Sequence, residues 1–382
     1  MVIKLETPVD LDEPLFDVFD RLSDAREDWL TLFENASYSP YQNYDYVDAW
    51  FETIGKAREI HPMIVVARDP DGAPIALFPL ATRDAFGVRV AEFPCGRESN
   101  LNLWLCRSGT QLDARALLLA AARGRSNPPD LFHLRNQPRR FGAFDNPLAA
   151  GDASPSPSFA YGAALPADIE ALDNHVSKAS KKKLRQKEKR LKELGSLSYE
   201  HAATGARARE IVATLIEQKS ARLARAGMEG VFTDPGMRAF FERACDMGAV
   251  EAHAMRLSGR VVATYIGLPG GGRFSGLANS FDTDAEIARC SPGDILLHAL
   301  LRNLVERGFT SFDLGVGEAR YKDAVCDETI ELYDLVLPVS NRGALAAVAL
   351  RGFLRWKRLA KHTPWLLRLV SNGRLSRLVR WI

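Results

Sequence analysis

The order of predicted strands and helices between residues 250 and 337 constrains the fold of this chain most. Three apolar runs separated by glycine-rich turns are predicted strands at 250–257, 261–268 and 273–281. Pro292-Gly-Asp opens a predicted helix that runs to Glu306 and stops at Gly308. Further strands are predicted at 310–314 and 330–337. This order predicts an α+β fold in α/β layers, with helices around one mixed sheet.

The first half of the chain has a similar pattern, and 382 residues are too many for one ordinary domain. After an irregular acidic lead-in over residues 1–30, we predict a turn that enters a helix over 40–54, a helix at 112–123 and strands at 63–67, 74–80, 88–93 and 130–134. Four prolines between residues 145 and 166 indicate a junction. We therefore predict two similar domains, 1–165 and 166–340, and a basic amphipathic helical tail, 341–382.

Composition excludes several classes of protein. No apolar stretch is long enough for a spanning helix, and the acidic N-terminus does not resemble a secretory signal, so we expect a cytoplasmic protein. The five cysteines are scattered without a CxxC pair, which argues against a zinc site and a disulfide framework. The chain has no His-Glu-x-x-His sequence, and we expect no metal. It also has no Gly-x-Ser-x-Gly or Walker sequence, so the usual motifs of hydrolases and of nucleotide-hydrolysing enzymes are absent from the sequence.

Two basic segments are attached to an acidic body. Residues 178–193 and 342–382 together carry a charge of +17, so the rest of the chain carries −15. The first segment is a predicted helix, either a solvated helix or a surface for an anionic small molecule or membrane. It has no interleaved aromatic residues, which disfavours nucleic acid as a partner. The second, over residues 345–382, is either an interfacial amphipathic helix in peripheral contact with a membrane or a helix packed on the body.

Two glycine-containing segments could approach a phosphorylated ligand. The N–H groups at the start of the 292–306 helix are electropositive, and Gly293 and Asp294 open it, so a pyrophosphate can bind there. A simple helix start is the alternative. Gly315 and Gly317 end the 310–314 strand and allow backbone groups to face a ligand, although a tight turn has the same pattern.

Three other residues have side chains suited to acyl transfer. Tyr321 and Lys322 can donate hydrogen bonds to a developing negative charge, and Tyr321 can protonate a departing thiolate. The alternative is a half-buried tyrosine beside a lysine whose amine reaches solvent. Asp282, in the loop before the 292–306 helix, is a candidate general base towards an amine, or a turn former.

Taken together, the sequence from Val261 to Tyr333, with Asp313-Leu-Gly-Val-Gly-Glu-Ala-Arg-Tyr-Lys322 near its end, resembles the CelD-like acetyltransferases of the GNAT superfamily. These are associated with cellulose and other exopolysaccharide loci. It is also similar to the Fem-type aminoacyltransferases, which pair two GNAT-like domains. The segment Pro40-Tyr-Gln-Asn-Tyr-Asp-Tyr-Val-Asp-Ala-Trp-Phe51 resembles the N-terminal box of the family. The basic helix ending at Gly195 resembles its arginine-rich helix.

The resemblance implies tandem GNAT-like domains, the second of them catalytic. The sheet would splay between strands 273–281 and 310–314, and the pantetheine arm of an acyl-CoA would insert there, beside Asn279. The helix at Gly293 would take the pyrophosphate, although Glu286-Ile-Ala-Arg-Cys-Ser-Pro-Gly293 departs from the usual superfamily loop. Lys322 matches the lysine that ends the Fem-type box, where substrate binding and transition-state stabilisation are expected.

These expectations combine into an N- or O-acyltransferase. It would move an acyl group, expected to be acetyl, from acyl-CoA to a small-molecule or glycan-precursor acceptor, in polysaccharide or cell-envelope biosynthesis. One alternative is a Fem-like transferase that uses aminoacyl-tRNA, the only case in which nucleic acid would bind. Another is a non-catalytic accessory protein held at the inner face of the membrane by its C-terminal segment.

Overall fold

The computed structural model describes residues 15–175, 177–225, 235–323 and 325–363. Within these ranges the strands are Leu15–Phe19 (β1), Ala36–Ser37 (β2), His61–Arg68 (β3), Pro74–Ala85 (β4), Val88–Glu92 (β5), Leu105–Arg107 (β6), Leu131–Pro138 (β7), Arg140–Phe141 (β8), Phe144–Asp145 (β9), Ser154–Pro155 (β10), Ala160–Ala164 (β11), Leu197–Ala203 (β12), Glu251–Leu257 (β13), Arg260–Gly270 (β14), Arg273–Phe281 (β15), Ser311–Val316 (β16), Glu328–Ile330 (β17) and Leu332–Pro338 (β18).

The helices complete the fold. The α-helices in the same ranges are Arg26–Asn35 (α1), Tyr44–Trp50 (α2), Ala114–Arg123 (α3), Ile169–His175 (α4), Lys178–Leu194 (α5), Gly205–Arg225 (α6), Pro235–Asp246 (α7), Ala285–Arg289 (α8), Pro292–Glu306 (α9), Arg320–Asp323 (α10) and Asn341–His362 (α11). Helix α2 is preceded by a 3₁₀ turn at Pro40–Gln42 and continues into a π-helical turn at Phe51–Gly55. Over the described ranges, no helix is both long and apolar enough to cross a membrane.

Two large mixed sheets form the architecture. The first has the order β1-β3-β4-β5-β7-β18-β10, with β6 also paired to β4 and β2 to β6, and the second has the order β12-β13-β14-β15-β16-β11-β17. Each contains an antiparallel meander followed, after a helix, by a strand parallel to the last strand of the meander. The predicted α+β class and the repeated pattern in the two halves are confirmed.

The two halves exchange strands. β11, from the proline-rich segment, pairs with β16 in the second sheet, whereas β18 pairs with β7 in the first. Leu335 is fully buried in the first core, although the sequence pattern assigned its strand to the second half. The division into domains 1–165, 166–340 and 341–382 therefore stays a prediction. The segments 154–164 and 328–338, close to the two boundaries, each contribute strands to both sheets.

The irregular lead-in predicted for residues 1–30 is wrong from Leu15 onwards. β1 pairs with β3 along its whole length, and α1 begins at Arg26. Arg68 anchors this edge because its guanidinium binds both Asp17 on β1 and Asp28 on α1. Such an anchor between distant residues has no local sequence signature. Residues 1–14 lie outside the described part of the chain.

The second sheet splays between β15 and β16, as the resemblance implied. The two strands pair in parallel only over residues 273–275 and 311–313. Gly276 lies at the point of divergence, where a Cβ atom would stand 3.0 Å from the carbonyl oxygen of Asp313. Gly315 has a φ of +70°, which turns the end of β16 away. The divergence leaves a space beside the ends of both strands.

Candidate functional site

A cavity of about 190 Å³ lies where β15 and β16 diverge. Its wall is formed by both strands, by α6, α10 and β14, and by one residue of the first half of the chain: Asn100, Lys219, Tyr265, Gly276, Leu277, Ala278, Asn279, Leu314, Val316, Tyr321 and Lys322. The structure thus brings together three residues singled out from the sequence, Asn279, Tyr321 and Lys322.

Lys322 has its ammonium group inside the protein. The residue is 4% exposed, and Nζ donates hydrogen bonds to the carbonyl oxygens of Gly315 at 3.0 Å and Val316 at 3.2 Å. Nζ also lies 5.5 Å from the centre of the Tyr161 ring. Burial lowers the pKa of Lys322 to about 8, against the smaller opposing effects of Cys326 and Asp313. A lysine amine carries three protons when charged, so one remains for a ligand in the cavity.

Three polar side chains form a network beside Lys322. The amide Nδ2 of Asn279 donates to the hydroxyl oxygen of Tyr265 at 2.9 Å and to that of Tyr321 at 3.2 Å. Burial raises the pKa of Tyr321, although the bonds from Asn279 and Tyr265 oppose the shift. Tyr321 therefore keeps its proton at neutral pH and can donate it into the cavity.

Asp313 and its partners hold the strand end that supports this network. The side chain is fully buried and accepts hydrogen bonds from Arg273 Nε at 2.9 Å, from Ser275 Oγ at 2.6 Å and from the Gly315 backbone N–H at 3.1 Å. These bonds connect β15 to β16 just before the strands diverge. Asp313 thus fixes the backbone whose carbonyl groups bind Lys322.

The first half of the chain reaches the same place through Tyr41 and Asn100, which sequence reasoning missed. The Tyr41 hydroxyl donates to the Gly276 carbonyl oxygen at 3.2 Å and accepts from Asn100 Nδ2 at 2.7 Å. Tyr41 belongs to the aromatic box that begins at Pro40, which was the available signal. Asn100 has no such signal, because it lies in an irregular segment far from the second sheet in sequence.

Lys219 is a second amine in the cavity wall. It lies on α6 after Leu215 and Ile216, both of which are buried. Burial lowers its pKa to about 8, and the nearby Arg222 adds to the effect. A lysine in register with the apolar face of an amphipathic helix is a recognisable sequence signal.

The start of α9 is the predicted pyrophosphate site. Ser291 has left-handed backbone angles and caps the helix without a side-chain bond, and a Cβ atom on Gly293 would touch only Phe281, at 3.7 Å. Lys187 of the basic helix α5 donates to Ser291 Oγ at 2.6 Å and lies 3.5 Å from the Asp294 carboxylate. An ammonium group therefore stands at the electropositive helix end, although the Asp294 carboxylate beside it would repel a phosphate.

Two other residues singled out from the sequence lie outside the cavity wall. The Asp282 carboxylate is paired with Arg260 and accepts the Asp284 backbone N–H at 2.9 Å. The N–H of Gly317 donates to the Phe159 carbonyl oxygen at 3.1 Å, which ties the strand end to the crossing segment. Among the described residues, no three His, Cys, Asp or Glu side chains form a group that could hold a metal ion.

The glycine at 315 offers a test of the contact between the two halves. A Cβ atom there would lie 2.5 Å from Asn100 Nδ2, whereas one on Gly317, at a φ of +100°, would have no neighbour within 4 Å. We expect Gly315→Ala and Gly317→Ala each to lose about 1 kcal/mol for their backbone conformation. Gly315→Ala should lose more, because Asn100 must move away from Tyr41. Equal unfolding free energies for the two variants in urea would contradict this contact.

Comparison with known proteins agrees with this fold. Residues 178–323, from the start of α5 to the end of α10, match the family model described as acetyltransferase (GNAT) domain. No curated protein matches the chain in sequence. Among solved structures, FemX is similar with a TM-score of 0.60 at 10% identity, covering 87% of this chain and 100% of FemX.

A second similar structure is the C-terminal domain of a putative lysylphosphatidylglycerol synthetase from Agrobacterium fabrum. Its TM-score is 0.51 at 14% identity, covering 87% of this chain and 96% of that domain. A Bacteroides thetaiotaomicron protein of unknown function has a TM-score of 0.51 at 11% identity, covering 85% of this chain and all of that one. At these identities the likeness concerns the fold. Residues 178–323 thus match the model of a GNAT-type acetyltransferase domain, and the chain as a whole has a fold similar to that of FemX.

Proposed function

We propose that this protein is an N- or O-acyltransferase that moves an acyl group, acetyl in the simplest case, from acyl-CoA to an amine or hydroxyl acceptor. The observation that carries the proposal is the gap between β15 and β16, with Lys322, Tyr321 and Asn279 in its wall. A mainly polar gap between diverging strands suits a pantetheine arm, which contains amide groups and ends in a thioester. The proposed setting, polysaccharide or cell-envelope biosynthesis, rests on the sequence resemblance alone.

In the proposed reaction the acceptor attacks the thioester carbonyl carbon directly. Lys322 stabilises the negative charge that develops on the carbonyl oxygen, because a preformed charged donor in a buried site needs little reorganisation. The carbon–sulfur bond then breaks, and the Tyr321 hydroxyl gives its proton to the departing thiolate. Bonds from Asn279 and Tyr265 support the negative charge left on the tyrosine oxygen.

The acceptor must also lose a proton. Asp282, the candidate base from the sequence, is held by Arg260 outside the cavity wall. Lys219 fits the role better, because it lines the cavity and its pKa of about 8 leaves part of the amine neutral near that pH. We therefore propose Lys219 as the group that accepts the acceptor's proton, with Asp282 as the other candidate.

The donor can be tested by thermal unfolding with acetyl-CoA, longer acyl-CoAs and adenosine 3′,5′-bisphosphate. A ligand that binds only the native state stabilises it, by about 2.7 kcal/mol at a hundredfold excess over Kd. The bisphosphate has the phosphates of CoA without the pantetheine arm, so a larger shift with the thioesters would support arm insertion. No shift with any thioester would rule out this donor.

A Fem-like transferase that uses aminoacyl-tRNA is the second candidate. The observation in its favour is a basic surface patch on α5, formed by Lys178, Lys181, Lys182, Arg185, Gln186 and Lys189. Neutralising several phosphates with lysine and arginine makes binding fall steeply with salt. Tight, salt-dependent binding of tRNA together with no response to thioesters would favour this candidate over the acyl-CoA proposal.

The pKa of Lys322 gives the proposed reaction a pH dependence. An ordinary lysine has a pKa near 10.4, whereas that of Lys322 is about 8, so its ammonium form is lost as the pH rises through about 8. We expect kcat/KM, which reports groups of the free enzyme, to fall above that pH. Below it, kcat/KM should rise with pH, because Lys219, the proposed base, loses its proton near the same pH. The profile should therefore have a maximum near pH 8. In Lys322→Arg, whose charge persists, the fall should move to higher pH. The same fall in both proteins would contradict the role of the ammonium group.

A further inference from the structure

Helix α11 has an unusual outer face. Nine large apolar side chains are exposed in the described part of the chain, and five of them belong to this helix: Leu345, Val348, Phe353, Trp356 and Leu359. Leu345, Val348 and Leu359 are 77%, 71% and 63% exposed. Their spacing, with Trp356, places them on one side of the helix. The result is a continuous apolar stripe that faces solvent.

The opposite side of α11 packs on the first sheet. Ala347 and Leu354 are buried there against Val90, Leu131 and Val336. Arg351 donates a hydrogen bond to the Val336 carbonyl oxygen. Arg358, two turns further along the helix, donates to the Ser156 carbonyl oxygen. The inner side of α11 is therefore held on the protein, and the outer apolar stripe does not pack on the first sheet.

The charge of α11 selects the partner. Residues 341–363 contain six lysine or arginine residues and no aspartate or glutamate, and residues 364–382 add four arginines and again no acid. A second copy of this chain would place one cationic helix against another in a two-fold interface. An anionic lipid surface satisfies both the charges and the stripe, because cations flank an apolar face in helices that lie in a membrane interface.

A neighbouring loop extends the same surface. Phe86, at the turn between β4 and β5, is fully exposed, and the carbonyl oxygen of the next residue, Gly87, accepts a hydrogen bond from Arg342 in the first turn of α11. The turn and the helix start are therefore joined. An aromatic side chain at this position adds a second apolar contact with the same lipid surface.

We propose that the outer face of α11, with Phe86, binds an anionic membrane surface, so that the helix lies in the plane of the interface. The helix is 22 residues long, about 33 Å, and its inner side remains packed on the protein. Leu345, Val348, Trp356 and Leu359 enter the acyl boundary, while the exposed Arg342 and Arg355 contact lipid phosphates. This inference is independent of the proposed acyl transfer.

Flotation of the full chain with vesicles tests the proposal. We expect at least about tenfold stronger binding to phosphatidylcholine vesicles that contain phosphatidylglycerol than to phosphatidylcholine alone, and weaker binding at high salt. The triple variant Leu345→Ser/Val348→Ser/Leu359→Ser should lose binding by at least about tenfold. Leu194→Ser, on α5, changes another exposed leucine and should bind as the parent chain does.

Each alternative has a distinct outcome. Unchanged vesicle binding by the triple variant would overturn the proposal, because other parts of the chain would then be sufficient. Absence of vesicle binding, with a concentration-dependent dimer that the triple variant abolishes, would also overturn it and identify a protein interface instead. Circular dichroism and thermal unfolding of each variant ensure that the compared proteins are folded.

Discussion

Lys322→Ala is expected to lower kcat by about 10²- to 10³-fold, the usual effect of removing one preformed donor to a developing oxyanion. Lys322 combines burial, two bonds to backbone carbonyl groups and a position in the cavity wall. Because the charge is needed most in the transition state, kcat should fall much more than the affinity for acyl-CoA changes. Steady-state kinetics with the acceptor in excess measure both quantities.

Controls separate this chemistry from folding. The carbonyl groups of Gly315 and Val316 lose their donor in Lys322→Ala, which costs about 1–3 kcal/mol for each group that stays buried. The assay must therefore be run well below the unfolding temperature of the variant. Lys192→Ala, which removes an exposed amine from α5, should have the kcat of the parent chain. Full turnover by folded Lys322→Ala would show that the amine has no part in the reaction.

Asp313→Ala is expected to lower the free energy of unfolding by about 3–5 kcal/mol, because it leaves the Arg273 guanidinium, whose side chain is only 15% exposed, without its charge partner. The Ser275 hydroxyl and the Gly315 N–H also lose their acceptor. Urea unfolding measures the change in the free energy of unfolding. The end of β16 should also move, because Asp313 no longer holds it. Lower acyl-CoA affinity should therefore accompany the lower stability.

A second mutation distinguishes the buried charge from other effects. In Asp313→Leu/Arg273→Met both charges are replaced by apolar groups, so stability should recover in large part. Asp84→Ala breaks the exposed pair between Asp84 and Arg89 and should change stability little. If Asp313→Ala were no more destabilising than Asp84→Ala, the buried pair would not support the strand end as described.

The strands and the long helix of the second half were largely predictable. Apolar runs with glycine-rich turns located β13, β14 and β15, and the Pro-Gly opening located α9. The order of these elements before Tyr321-Lys322 supported the family resemblance, and the resemblance implied the splayed sheet. Local patterns succeed here because each element has its own periodicity and its own start or stop signal.

Contacts across the chain were not predictable in the same way. β10 is two residues long and β11 contains Gly162, so neither has a strand pattern of its own, and the exchange of β11 and β18 depends on pairing between halves. Asn100 reaches Tyr41 and Gly315 only once both sheets are assembled. Asp282 was a reasonable base by its position after β15, but Arg260, across the hairpin, holds its carboxylate.

The most direct measurement is calorimetric titration of acyl-CoA into the parent chain and into Ala278→Trp. Ala278 lines the gap between β15 and β16 and takes no part in the proposed chemistry, so an indole there fills the space that the pantetheine arm would occupy. We expect acyl-CoA to bind the parent chain and to lose at least about tenfold in affinity for a folded Ala278→Trp variant. Equal affinities, or no binding to either protein, would contradict a thioester donor bound between these strands.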